Sequence, residues 1–309
     1  MATKAPICDH RDCQELHRIK TVTLSRCREC GIISSSRCRE SFDAAARYEN
    51  FYRNEMAGRF GWGLEHLVRL FRFFRALKIF TVSPRARSIL DIGSGRGFTL
   101  YYLKKYYKYN RTVGTQISKN AYEFSKNKLG LEIYNQDLLT LSGLDGGFDL
   151  VTIWHVLEHV SDPERTIDKI AEFLGDRGKL IIEVPNYNSW SRVLTGKYWL
   201  SFDLDHHLYF FTSESLSALL AKHGFKIRDV RTFSLEYSTF TSAQSIVSAL
   251  TGTESYFFRE LQAGTRSVRV LAHAFLIILL APLCFLINLL LYFSKRGEVL
   301  FILAEKQKQ

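Results

Sequence analysis

From Ser88 onward, short apolar runs alternate with stretches whose apolar residues recur every third or fourth position. The runs at 88–92, 112–117, 131–134, 148–153 and 179–184 predict strands. The stretches at 98–107, 120–129 and 163–174 predict the helices between them. A further helix is expected over 213–223, a sixth strand over 225–233 and a seventh over 300–305, after Gly297. Alternation of this kind buries a parallel sheet between two helical layers, so the chain reads as α/β, with a doubly wound, Rossmann-like, seven-stranded sheet. No internal repeat or low-complexity tract interrupts it.

Two further patterns flank that body. Over 62–80, Leu64, Leu67, Val68, Phe71, Phe74 and Leu77 fall at helical spacing, and Arg69, Arg72, Arg75 and Lys78 recur every third residue. A basic amphipathic helix is predicted, covering the edge of the main domain with its basic face in solvent; a membrane-surface role is the alternative. Over 270–293 the chain is apolar apart from His273, Pro282 and Asn288. As one helix it would reach about 36 Å, against a hydrocarbon core of about 30 Å. A strand at 300–305 in the same sheet as 225–233 would keep both ends on one side, and cations flank both ends: Arg266 and Arg269 before, Lys295 and Arg296 after. A hairpin hinged at Pro282 and dipping into one leaflet is therefore expected; a single span, and a buried helix pair or oligomer contact, are the alternatives. The implied organisation is 1–40 as a ribbon-like segment, 41–83 as a helical cover and 84–235 as the main domain. The hydrophobic insertion is 236–296, and 297–309 returns the last strand.

Composition adds to this without redirecting it. With 46% hydrophobic and 24% charged residues the 309-residue chain is expected to fold around a full core. A net charge of +11 favours nucleic acid, an anionic membrane surface or a phosphorylated substrate as partner. The first residues hold no apolar stretch of the secretory kind, so a reducing cytosol is expected and the thiols should stay thiols. Four of the six cysteines, Cys8, Cys13, Cys27 and Cys30, fall within the first 30 residues as two pairs separated by enough chain for a hairpin. Such pairs can close a tetrahedral structural Zn2+ site in a segment too short to own a core; His10 could replace Cys8 or Cys13, and four unligated cysteines are the alternative.

The run from Ile89 to Gly97 ends an apolar strand in Asp91-Ile92-Gly93-Ser94-Gly95-Arg96-Gly97 and opens a helix at Phe98. Glycines there permit positive φ and let a ligand lie on the backbone beside the helix N-terminus. A dinucleotide fold would want Gly-x-Gly-x-x-Gly and an acid after the second strand; here the spacing is Gly-x-Gly-x-Gly and Gln116 follows that strand. The Gly-Lys-Ser/Thr ending of a nucleoside-triphosphate loop is absent as well. With this loop, Cys27-Arg28-Glu29-Cys30-Gly31, the stretch from Phe148 to Pro163 and His207-Leu208-Tyr209-Phe210-Phe211-Thr212, the chain resembles class I methyltransferases dependent on S-adenosylmethionine (SAM). The resemblance covers nearly the whole chain and points to the subgroup with an N-terminal zinc ribbon that modifies small molecules, sugars or lipid precursors. It implies that Asp91, Gly93, Ser94, Gly95 and Gly97 hold the amino-acid end of SAM and that Asp137 and Leu138 flank the adenine. It also implies a ribose contact at Gln116, where the family usually has an acid able to accept from both hydroxyls.

His155-Val156-Leu157-Glu158-His159 matches a zinc-protease pattern, but that chemistry needs both histidines on one helix. Here His155 follows a strand and the next helix opens only at Asp162-Pro163, which places the pentad at the carboxyl edge of the sheet. Methyl transfer needs alignment of donor and acceptor, and a base only where the acceptor must lose a proton. His207, His155 and His159 are the candidates, His207 foremost, because Asp205-His206-His207 precedes an aromatic stretch that could wall a substrate pocket. The chain is thus expected to work at the cytoplasmic face of a membrane, on a small-molecule or lipid-linked acceptor, with membrane lipids as partners. A silent scaffold and a nucleic-acid methyltransferase are the rivals. The basic residues are not interleaved with exposed aromatics, and no Asp/Asn-Pro-Pro-Tyr run follows the fourth strand, which argues against nucleic acid.

Overall fold

The structure, a computed structural model, describes residues 12–39 and 62–308; Cys8, His10 and the 41–61 part of the expected covering region lie outside the described residues. At the N-terminus β1 (Cys13–Ile19) and β2 (Val22–Cys27) form a hairpin that β3 (Ile33–Ser35) extends into an antiparallel meander. After α1 (Trp62–Val82) the expected alternation begins: β4 (Ser88–Ile92), α2 (Phe98–Tyr106), β5 (Arg111–Thr115), α3 (Lys119–Leu129) and β6 (Glu132–Tyr134). It continues through β7 (Phe148–Trp154), α4 (Pro163–Phe173) and β8 (Leu174–Pro185). A short α5 (Trp190–Thr195) and a two-residue β9 (Tyr209–Phe210) lead into α6 (Ser213–Lys222) and β10 (Phe225–Arg231). The chain then forms α7 (Ser238–Thr251), α8 (Tyr256–Ala263) and α9 (Val268–Leu290) before closing with β11 (Val299–Lys306).

Local chemistry sets several of these boundaries. Asp162 accepts the Arg165 N–H at 2.9 Å to open α4, with Pro163 in the first turn, where its missing donor costs nothing. Thr212 and Ser215 cap α6 reciprocally.

The seven-stranded sheet runs β10-β11-β8-β7-β4-β5-β6. Pairs among β4 to β8 are parallel, whereas β11 is antiparallel to both β8 and β10, so the last strand departs from an all-parallel expectation. Successive strand residues point to opposite faces. Ile89, Leu150, Ile181 and Phe301 pack under α1 and α2, while Leu90, Val151, Ile182 and Ile302 pack under α4 and α6. Order reverses beside β4, which places the binding crevice of such a sheet at the carboxyl ends of β4 and β7. The N-terminal meander is joined to this body through β9, with Ile33 opposite Phe210 and Ser34 opposite Tyr209.

Two expectations are corrected. The basic stripe of α1 does not face solvent: Arg72 and Arg75 each pair with Glu236 at 2.6 Å, Lys78 pairs with Glu183 at 3.3 Å, and the Arg75 guanidinium lies 4.4 Å from the Trp154 ring centre. Leu67, Leu70, Phe74 and Leu77 are the exposed side. Acids distant in sequence supply the inward partners, so spacing alone could not show which face turns in. Likewise the hairpin expected at Pro282 does not form, because α9 runs unbroken through it. Pro282 sits on the exposed side of the helix. The antiparallel pair is instead made by α7 and α9, as the Asn288 side chain donates to Ser242 Oγ at 3.0 Å near one end and Thr253 meets His273 at 3.4 Å near the other.

Candidate active site

At the carboxyl end of β4 the chain turns through three glycines with positive φ, Gly93 (66°), Gly95 (58°) and Gly97 (73°), and Gly97 then caps α2. At Gly93 a Cβ would stand 2.5 Å from Val156 Cγ2, and at Gly97 2.6 Å from Leu131 Cδ1. Only glycine fits either place, and the loop is left as a bare-backbone cradle. Ser94 N–H donates to the Thr115 carbonyl at 2.9 Å, which holds the cradle against β5. Asp91 is buried beneath it and accepts a hydrogen bond from Thr152 Oγ1 at 2.6 Å. Burial pushes its carboxyl up to about 6, opposed by that hydrogen bond and by Arg75 and Arg72.

Gln116, the residue after β5, is buried; its amide oxygen accepts the Ser118 N–H at 3.0 Å, and its NH2 group is the donor it can offer a ribose. Asp137 caps a short 3-10 turn, accepting the Leu139 N–H at 2.9 Å, with Leu138 buried beside it. All eight residues expected to bind the cofactor (Asp91, Gly93, Ser94, Gly95, Gly97, Gln116, Asp137, Leu138) line one cavity of about 1340 Å³. A cradle closed to any Cβ, beside buried donors and an acid, fits SAM.

The same cavity reaches the three histidines. His155 has φ of 52°, a strained position for a residue with a Cβ, and its ring lies between Glu158 (Nδ1 to Oε1, 3.3 Å) and Glu183 (Nε2 to Oε1, 3.4 Å). Burial alone would lower its pKa, but Tyr237, Glu158 and Glu183 outweigh burial and raise it to about 10. With both ring nitrogens turned to carboxylates, His155 is an imidazolium and has no lone pair for a base.

The Nδ1 of His159 lies 3.0 Å from the His206 carbonyl, and the Nδ1 of His207 lies 2.9 Å from the Ser201 carbonyl. Each carbonyl can only accept, so each Nδ1 carries a proton. Burial, and then His207, push His159 down to about 4, so it is neutral at physiological pH. The two rings meet edge to face at 4.6 Å. Ligand atoms of Glu158, His159 and His207 lie within 4.8 Å of one another, a donor set that can also hold a divalent cation.

Sequence reasoning missed the acids that organise this edge. Glu158 is buried; burial would raise its pKa, but His155 and then His159 hold it below the usual carboxylate range. Its backbone carbonyl accepts from Leu208 and Tyr209 N–H, which fastens the His207 segment over the loop after β7. Glu183 meets Lys78, His155 and the Ser234 hydroxyl, and its pKa is lowered against burial by Lys78 and His155. A lone acid inside Ile181-Ile182-Glu183-Val184 was the available signal. In the N-terminal meander Cys13 stands opposite Cys27 in the β1–β2 register. Cys30 occupies the turn that Gly31 (φ 73°) closes by donating to the Cys27 carbonyl at 3.0 Å. Cys13, Cys27 and Cys30, three of the four expected zinc ligands, thus lie on the β1–β2 hairpin or in the turn that follows it.

Comparison with known proteins agrees with this geometry. Residues 65–230 match the model of a methyltransferase domain family. The chain belongs to that family. Its family is that of the class I SAM-dependent methyltransferases. The ubiquinone biosynthesis O-methyltransferase of Coxiella burnetii is 29% identical over 112 residues, which are 35% of this methyltransferase and 47% of that protein. The match therefore spans about half the length of such relatives. Among solved structures, a putative sarcosine dimethylglycine methyltransferase from Galdieria sulphuraria superposes with a TM-score of 0.52 at 16% identity, covering 86% of this chain and 99% of that one. The Haloferax volcanii complex of the Trm112 methyltransferase activator with a putative methyltransferase gives 0.53 at 14% identity, covering 87% and 100%. At such identities these structures speak to the fold alone.

Proposed function

We propose that this methyltransferase modifies a hydroxyl group on a small apolar or lipid-linked acceptor, of the quinone-precursor or polyprenyl-linked sugar kind, at the cytoplasmic face of a membrane. The observation that carries the reading is that His159 and His207 line the cavity that holds the glycine cradle, each with its Nδ1 set against a backbone carbonyl. A hydroxyl must lose its proton as it is methylated, and a neutral imidazole at hydrogen-bond reach accepts it. Bound SAM supplies the electrophilic methyl group. The chain's own part is to fix the cofactor through the cradle, Asp91 and Gln116, to aim the acceptor oxygen, and to take its proton at a histidine Nε2. His155, charged and clamped by two acids, holds the loop after β7 in place.

Support for an apolar acceptor comes from Leu235, Phe240, Phe258 and Leu261, which line the cavity beyond the histidines, and from the name of the Coxiella relative, an O-methyltransferase of ubiquinone biosynthesis. Incubating labelled SAM and the full chain with a membrane lipid extract should place label in the organic phase. His207→Ala and His159→Ala should each cut that transfer by about 10²–10⁴-fold without loss of SAM binding. Label confined to RNA or to water-soluble products, or wild-type rates in both variants, would refute the reading.

A further inference from the structure

We infer that α9 is neither a span nor a re-entrant hairpin but a docking helix, which lies flat on one anionic membrane leaflet and brings the mouth of the active cavity to the headgroup level. The helix has two distinct sides. At 3.6 residues per turn, Leu271, Phe275, Ile278, Leu279, Leu286 and Leu290 fall within an arc of about 120°, and all are exposed, Ile278 and Leu290 by 70% and 71%. Val270, His273, Ile277, Cys284 and Asn288 fall within about 60° on the opposite side, and all are buried. The buried side is bound to the protein by polar contacts: Asn288 accepts the Trp190 indole N–H at 3.2 Å and donates to Ser242 Oγ. One side of α9 therefore belongs to the protein, and the other, uniformly apolar, has no protein cover among the described residues.

Both ends of the helix are fixed to the same body. Before it, Glu254 pairs with Lys20 on the β1–β2 turn, and Phe258, Arg259 and Gln262 of α8 line the active cavity. After it, the Asn186 side chain donates to the carbonyls of Lys295 and Gly297 at 3.1 and 2.8 Å, and β11 enters the sheet between β8 and β10. A span would have to place one of these two attachments across a hydrocarbon layer of about 30 Å. Insertion tip-first is opposed by the tip itself, which carries Glu254, Arg259 and Glu260. A helix lying in the interface satisfies every one of these contacts.

Charge selects the occupant. No Asp or Glu occurs in α9, and exposed cations stand at each end, Arg266 and Arg269 at the start, Lys295 and Arg296 just beyond the finish. A second copy of the chain would bring the same cations against each other, whereas acidic headgroups would pair with them along the margins of the apolar stripe. Because α8 both lines the cavity and leads into α9, docking sets the cavity beside the leaflet, from which a lipid-borne acceptor can enter.

The inference extends the reading of the acceptor as lipid-borne, but its test needs neither SAM nor acceptor, so one can fail while the other stands. The full chain should float with phosphatidylcholine vesicles that contain phosphatidylglycerol. Ile278→Asp with Leu286→Asp, both at outward positions, should lower that binding at least about tenfold while SAM binding persists. Arg266→Glu with Arg296→Glu should lower binding to the anionic vesicles and leave binding to pure phosphatidylcholine unchanged. In sealed inverted membrane vesicles, a membrane-impermeant maleimide should add label over the parent chain to both Arg266→Cys and Arg296→Cys from the same side. Label on only one of them would show a span. Absence of vesicle binding by the wild-type chain, or a dimer that the Ile278→Asp, Leu286→Asp variant dissolves without changing vesicle binding, would overturn the docking surface.

Discussion

Gly93 joins sequence, backbone and ligand at a single residue. Its φ of 66° and the 2.5 Å that would separate a Cβ from Val156 mean that Gly93→Ala meets strain of roughly 1–2 kcal/mol for the left-handed backbone, and a clash besides. Its Kd for SAM should rise at least about tenfold by calorimetric titration. Gly143→Ala, with φ of 73° and nothing within 4 Å, shares the strain without the clash and should leave that Kd unchanged. Glu298 gives a residue-scale prediction in pH. It is buried, accepts the Ser191 hydroxyl at 2.7 Å and the Trp199 indole at 3.3 Å, and burial pushes it up to about 7 against those hydrogen bonds. A carboxyl raised in the folded state binds its proton there when the unfolded chain has lost it, so its contribution falls as pH rises from about 4.5 to about 7. Above that window the loss is at most about 3 kcal/mol. In urea unfolding at pH 5 and pH 8, Glu298→Gln should show a smaller loss of stability with pH than the parent; an equal loss would remove Glu298 as its source.

At the scale of elements, what the sequence made legible and what it hid follow from the range of the forces involved. Strands β4 to β8 and helices α2, α3, α4 and α6 announce themselves because each carries its own period, and Asp162-Pro163 or Gly130 marks an end locally. The inverted face of α1 was not legible, since Glu183 and Glu236, which draw its cations inward, are more than a hundred residues away. Nor was α7, whose buried side is largely serine and threonine and so leaves no apolar stripe. The cofactor residues were readable as a contiguous loop; the protonation of His155 was not, because it depends on Glu183 arriving from the neighbouring strand. The N-terminal meander makes its own prediction. With Cys13 opposite Cys27 in the hairpin, Cys30 in the turn after it and a fourth ligand expected from Cys8, it should carry one Zn2+ per chain by elemental analysis. Chelation or Cys27→Ser should release the metal and lower the melting temperature, because the meander pairs with β9, which the main body of the chain supplies. A metal-free chain of unchanged stability would contradict the zinc ribbon.

Over the whole molecule, the sheet supplies a crevice at the reversal beside β4, the meander and the segment from Trp199 to His207 wall it, and α7 to α9 hang from the same edge. Cofactor cradle and histidine pair thus line one cavity, and α8, which lines it too, leads into the outward apolar helix α9. The most direct test is the transfer of labelled methyl from SAM into a membrane lipid extract, compared with the same extract after its free hydroxyls have been acetylated. The account predicts incorporation into the untreated extract and its loss after acetylation. Equal incorporation into both would contradict it.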